Sequence, residues 1–236
     1  LVWGVDMSVG YDKHSLNHQL VLDLPFEEMT GLVTYCRAQS NIVATLRGGP
    51  PTWQQFINGL QYLDFVPGTL DFLDAPGAAS AGLDFTTGDF SVAVWARVDD
   101  LSANRMLLCR GLLNVDGWHC AILMNGSFVL YTNQGAGTNQ SSLSAAGEVV
   151  VATWYLLGFT RVGGSVRCYK NGRDVTNTVG VHLDLTTSAR ELHIGIYDPE
   201  NASPFDGGMH RPRVWSRALS AREHMELYNM ESQMFP

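Results

Sequence analysis

Positive charge is scarce in this 236-residue chain: 15 Lys and Arg stand against 23 Asp and Glu, a net charge of −8, and charged residues of all kinds make up only 16%. Polyanions are bound by displacing counterions from a basic stripe. None is present, so nucleic acid is not expected as a partner. Long apolar runs are missing as well. Val149–Phe159, the longest nearly uncharged one, falls short of the roughly 18 residues that a membrane-spanning helix needs, so no membrane span is expected. Cysteine is sparse: Cys36, Cys109, Cys120 and Cys168 have neither CxxC metal spacing nor the density of a disulfide scaffold, and they read as buried free thiols. The exception to test is Cys109 with Cys120, which flank a hairpin-like stretch and whose pairing depends on strand register. There is no GxSxG elbow, HExxH helix, P-loop or GxGxxG fingerprint, which leaves the chain without an enzyme signature.

What is present is punctuation. Twenty-four Gly and nine Pro separate short runs rich in Val, Leu, Phe, Tyr and Trp, as in all-β proteins. Phe90–Val98 alternates, with Phe90, Val92, Val94, Ala96 and Val98 on one face. Similar runs occupy 106–109, 118–124, 128–132, 154–161, 165–170, 191–196 and 213–215. Asn125-Gly126 and Asn171-Gly172 fit type I′ hairpin turns, which need positive φ at both positions. Ser220 with Glu223 forms a capping box that opens a short C-terminal helix over Ala221–Met230, with Met225, Leu227 and Tyr228 as its apolar face. The expected organisation is an N-terminal arm, 1–19, and one domain, 20–236. The arm either lies over its own sandwich or self-associates with a neighbouring subunit.

From Leu20 onward the chain resembles the laminin G-like, pentraxin-like members of the concanavalin A-like lectin/glucanase superfamily. The resemblance rests on Leu22-Asp23-Leu24-Pro25-Phe26, Gly59–Phe65 and above all Asp84–Trp95. It continues through Trp154–Arg161, Tyr169–Gly172, Ile194-Gly195, Phe205-Asp206-Gly207 and Arg213–Ser220. It implies an all-β jelly-roll sandwich of two antiparallel sheets whose function depends on loops at the rim or on the concave sheet. The glucanases of this superfamily place paired carboxylates on a Glu-x-Asp-x-x-Glu strand. No Glu here is followed two residues later by Asp, so the chain is expected not to be an enzyme.

Two sets of candidate site residues follow. Calcium takes oxygen ligands converging from loops. Asn114 and Asp116 in one loop, and Asp198, Glu200 and Asn201 with Asp206 in another, offer them at positions similar to the calcium loops of pentraxin-like relatives. The same residue types also make ordinary solvated turns. His210-Arg211-Pro212 stands where relatives place an acidic pair, which weakens the metal site and offers Arg211 and Arg213 to an acidic partner. For a sugar or protein ligand, Trp118, Tyr131 and Tyr197 are candidate platforms, with Asn133 and Asn139 on a polar loop, 133–140, as amide partners. Trp95, Trp154 and Trp215, and alternatively Trp118, read as core. The expected function is a non-enzymatic recognition module binding a glycan or protein surface through its loop rim, with calcium as the implied cofactor. The alternative is a structural subunit of a virion or extracellular surface, such as a capsid decoration or tail-associated protein, assembling through its arm and sandwich faces; either places the chain outside the cell or on a virion.

Overall fold

The computed structural model describes residues 15–38, 40–135, 137–197 and 202–236. In chain order the strands begin with β1 (Leu20–Asp23), β2 (Val33–Tyr35), β3 (Val43–Arg47), β4 (Thr52–Gln55), β5 (Gln61–Phe65) and β6 (Phe72–Ala75). Next come β7 (Phe90–Val98), β8 (Arg105–Leu112), β9 (Asp116–Ile122), β10 (Phe128–Gln134), β11 (Thr138–Ser144) and β12 (Trp154–Val162). β13 (Ser165–Lys170), β14 (Arg173–Asp174), β15 (Thr176–Thr178), β16 (Leu192–Ile194) and β17 (Gly207–Trp215) precede helix α1 (Ala221–Glu231). The strands pair antiparallel into two sheets. The first has the order β14-β13-β12-β7-β17-β5-β4, with β1 added on β17; the second runs β15-β11-β10-β9-β8-β16-β6-β3-β2.

Alternation decides what each strand gives to the space between the sheets. Phe90, Val92, Val94, Ala96 and Val98 of β7 all point there, as the sequence predicts. Phe128 of β10 meets Phe159 of β12 edge-on at 5.5 Å, which stitches one sheet to the other. Trp118 packs 5.4 Å from Phe90, and its Nε1–H donates to the Leu83 carbonyl at 2.9 Å. Each such side chain contributes about 1.5–3 kcal/mol by leaving water.

The outer face of the first sheet is buried too, because the chain covers it with its own ends. Ala93, Trp95, Trp154, Leu156 and Trp215 lie beneath Leu16, Leu219 and Leu227. Phe235 stacks on Trp95 at 3.9 Å. The strand tryptophans Trp95, Trp154 and Trp215 therefore fill a second core outside the sandwich. Of the predicted arm, Ser15–Asn17 form a single turn, and Trp215 Nε1–H donates to the Leu16 carbonyl at 2.6 Å; residues 1–14 lie outside the described residues. Helix α1 has its capping box, but its buried residues are His224, Leu227 and Glu231, with Met225 left half-buried. Polar groups can lie on that stripe because each is satisfied there. His224 stacks on Tyr169 at 3.9 Å and reaches Thr160 Oγ1 at 2.8 Å.

Glu231 anchors the end of the helix. Arg213 contacts both of its oxygens, at 2.8 and 2.7 Å, Arg211 donates to one at 3.1 Å, and Trp95 Nε1–H to the other at 2.8 Å. Arg211 also grips the fully buried Asp23 through two bonds, at 2.9 and 3.0 Å. A register shift in β17 between His210 and Arg213, with Arg211 at φ +49°, turns Arg211 toward these acids. The expectation that Arg211 and Arg213 meet an external acidic partner is overturned: internal carboxylates occupy both.

Two local expectations also change, while the cysteine exception is settled by register. Cys109 and Cys120 lie on neighbouring strands, but Cys109 is opposite His119 and Cys120 opposite Leu108, with their side chains on opposite sheet faces, so the two form no disulfide with each other. The polar stretch 133–140 is no open loop: Asn133 pairs with Asn139 and Gln134 with Thr138 across the β10–β11 hairpin. Asn171-Gly172 has positive φ at both positions, as a type I′ turn requires, whereas at Asn125-Gly126 only Gly126 does. The β9–β10 connection is instead the longer loop 123–127, and the Asn125 side chain is spent on the Ser127 N–H and hydroxyl.

Candidate functional site

The outer face of the second sheet differs from that of the first. Strand register sets His193 of β16, Cys109 of β8, His119 of β9 and Tyr131 of β10 side by side across it. Met106, Cys109, Ala121 and Val129 form a small apolar cluster there, flanked by Leu123, Tyr131, Leu143 and Tyr197. Over part of this cluster lies a recess of about 140 Å³, whose walls include Met106, Leu113, His119, Ala121, Tyr131 and Tyr197.

Its geometry follows from aromatic contacts and from two connections that wall it. His119 stacks on Tyr131 with ring centres 4.6 Å apart and meets Tyr197 edge-on at 5.2 Å. Tyr197 pairs with Ala202 in an isolated bridge, and its hydroxyl accepts the Leu113 N–H, joining the 195–206 connection to the β8–β9 loop. That loop is held in turn by amides. Asn114, at φ +63°, gives its N–H to Asn133 Oδ1 at 3.3 Å, and its own Oδ1 accepts from Asn139 Nδ2 at 2.5 Å. Burial pushes His119 down to about 3, so the ring is neutral at physiological pH, and burial also raises Tyr131. Among the described residues the lining is therefore uncharged, aromatic and aliphatic with Asn104 and Ser203 as polar members, and it includes no carboxylate. Such a surface can desolvate a small neutral group and orient it, but it offers no acid pair for hydrolysis.

Of the predicted ligand contacts, Tyr131 and Tyr197 come together at this recess. Trp118 is wholly buried between the sheets, because position 118 alternates inward while 119 faces out, so it is no ligand platform. Asn133 is also fully buried, and it binds backbone and His119 rather than a ligand. Asn139 is exposed, and its amide clasps Asn114. These three polar or aromatic residues build the site or the core without reaching into the recess. His119 is a wall residue without a sequence signal of its own, since a histidine inside a strand-like run is ordinarily a satisfied sheet residue.

The predicted calcium set does not assemble from the described residues. Asp116 Oδ1 accepts the Leu112 N–H at 2.9 Å, and both its oxygens face Arg190 Nε at 3.0 and 3.1 Å. Asp206 lies among other groups, 3.5 Å from Arg105; burial and the nearby Asp99 raise its carboxyl against the pull of that arginine. Asp198, Glu200 and Asn201 lie outside the described residues. Among the described residues, no group of three His, Cys, Asp or Glu side chains is placed to hold a metal ion. No helix among them is long and apolar enough to cross a membrane.

Comparison with known proteins agrees with this architecture. The fold recurs in the binding domain of Paraclostridial Mosquitocidal Protein 1, with TM-score 0.74 and 14% identity over 92% of this chain and 53% of that one. It recurs in a structure of botulinum neurotoxin type C, whose cell entry depends on interaction with two ganglioside molecules (TM-score 0.63, 11% identity, 91% and 51% covered). A third is the binding domain of botulinum neurotoxin DC in complex with rat synaptotagmin II (TM-score 0.62, 12% identity, 92% and 52% covered). The chain spans about half the length of these structures, and at such identities the likeness is one of fold. No curated protein sequence matches the chain. Residues 74–223 match the Laminin_G_3 family, described as the Concanavalin A-like lectin/glucanases superfamily. With that stretch running from the end of β6 into α1, the chain belongs to the laminin G branch of the concanavalin A-like superfamily.

Proposed function

We propose that this chain is a non-enzymatic recognition module, acting outside the cell, that binds a glycan or protein surface through the outer face of its second sheet. The observation that carries the reading is the His119, Tyr131 and Tyr197 recess, an open aromatic hollow on the face opposite the one roofed by α1, Phe235 and the Ser15–Asn17 turn. The superfamily includes lectins, and the fold serves as a binding domain in toxins, among them one whose cell entry depends on gangliosides and one bound to synaptotagmin. Both observations support recognition in general. Among the described residues the recess has no carboxylate pair, which supports binding without turnover. The reading needs no calcium.

The test is a binding screen of the purified chain against a panel of neutral and anionic glycans and extracellular protein domains, repeated with Tyr131→Ala. The expected result is a binder in the panel whose signal falls at least about tenfold in the variant, since an aromatic anchor in a pocket commonly carries 2 kcal/mol or roughly more. Binding that Tyr131→Ala leaves unchanged, or turnover of a polysaccharide, would contradict the reading.

A further inference from the structure

The recess has one protonation state, and that state selects its ligand. Asn133 is fixed by backbone on both sides: its Oδ1 takes the Asn114 N–H at 3.3 Å and its Nδ2 donates to the Gly117 carbonyl at 3.2 Å. A flipped amide would set oxygen against oxygen. The Nδ2 that reaches His119 Nδ1 at 3.3 Å is therefore a donor. It follows that Nδ1 is the bare nitrogen of the neutral ring and that Nε2 bears the proton. Neither His119 Nε2–H nor the Tyr131 hydroxyl has a hydrogen-bond partner among the described residues. Two donors thus stand beside an apolar wall of Met106, Ala121 and Leu123, with no charged side chain among the described residues of the lining.

We propose that the recess binds the acetamido group of a neutral N-acetylhexosamine unit. Its carbonyl oxygen accepts from His119 Nε2–H and the Tyr131 hydroxyl, and its methyl lies against Ala121, Leu123 and Met106. This deepens the recognition reading and rests on it. The volume, about 140 Å³, is close to the ~150 Å³ that admits one benzene ring, so it takes one acetamido group and the edge of its pyranose. A purely aliphatic or aromatic side chain would fill the space but leave both donors unpaired, a cost that an acceptor-bearing group avoids. An anion gains nothing from an uncharged lining in a chain of net charge −8.

The experiment is saturation-transfer NMR and calorimetry with N-acetylglucosamine, glucose, N-acetylneuraminic acid and N-acetyl-lysine, on the wild type, Tyr131→Phe and Ala121→Leu. Near-ultraviolet circular dichroism checks that each variant is folded. N-acetylglucosamine should bind, and glucose, which lacks the acetamido group, should bind at least about tenfold more weakly. Tyr131→Phe keeps the ring on His119 and loses one hydrogen bond, so it should weaken binding about five- to tenfold. Ala121→Leu fills the hollow and should abolish binding. Equal binding of glucose, preference for N-acetyl-lysine or N-acetylneuraminic acid, or indifference to both variants overturns the proposal. If panel glycans still bind both variants as the wild type does, recognition lies elsewhere on the chain and only this proposal falls; if no glycan or protein binds the wild type, the recognition reading falls with it.

Discussion

The two outer faces of the sandwich use the same alternation of side chains for opposite ends. On the first sheet, Trp95, Trp154 and Trp215 are roofed by α1, Phe235 and the turn at Ser15–Asn17, and the charged residues beneath that roof are paired. On the second sheet, His119 and Tyr131 stack beside a hollow that Leu113 and Tyr197 wall without closing. An aromatic on a strand is thus structural or available according to whether the chain returns to cover it. The covered face keeps its charges, Asp23, Arg211, Arg213 and Glu231, in one buried network; on the open face the described residues of the recess carry no charge. Burying charge is tolerable only with matched partners, and here those partners link α1 to the sheet.

The largest expected effect breaks the covered face. Glu231→Ala leaves Arg213 buried without its carboxylate and should cost about 3–5 kcal/mol in urea unfolding, whereas Tyr131→Ala on the open face should cost about 1 kcal/mol. Equal costs would erase the distinction between the faces. Acid should weaken both faces together, because each holds a buried neutral histidine: His119 under the recess and His224 under α1 are both pushed down to about 3 from an ordinary 6.5 by burial. A folded value below the unfolded one means that this contribution is fully present above pH 6.5 and is lost as the pH falls toward the folded value. The loss is about 1.4 kcal/mol per pH unit for each histidine. His182 and His210, which burial pushes down to about 4, add their shares, so unfolding free energy measured at a series of pH values from about 7 to about 5 should fall by the sum, and His224→Gln or His119→Gln should each flatten it by one histidine's share. The smallest expected effect is at Asp116, which is part-exposed beside Arg190. Asp116→Ala should lower stability by no more than about 1 kcal/mol, and equally in calcium and in chelator, because its oxygens already have partners. A calcium-dependent difference between the two melting curves would restore the metal site.

Much of the fold is legible in the sequence because alternation and turn chemistry are local. Phe90–Val98 reads directly as a strand, and Ser220 with Glu223 as a helix start. The short strands β2, β3 and β4 and the hairpin strand β11 carry polar or mixed residues and give no comparable signal. The site was less legible, for one reason of register. A two-residue turn at Asn125-Gly126 would set His119 opposite Thr132, whereas the five-residue loop that forms sets it opposite Tyr131, where the rings stack. Nothing local to Asn-Gly distinguishes these, since the choice depends on Gly126 alone taking positive φ while Asn125 caps Ser127. Trp118 misled for a related reason: its place near a loop suggested exposure, but its parity along β9 sends it into the core.

Amide chemical-shift mapping with N-acetylglucosamine tests the contrast between the faces most directly, because it reports which face a ligand meets. The expected result is a set of shifts confined to Met106, His119, Ala121, Leu123, Tyr131 and Ser203 and their neighbours around the recess, with β17 and α1 unchanged. Shifts centred on β17 and α1, or none at the recess, would contradict it.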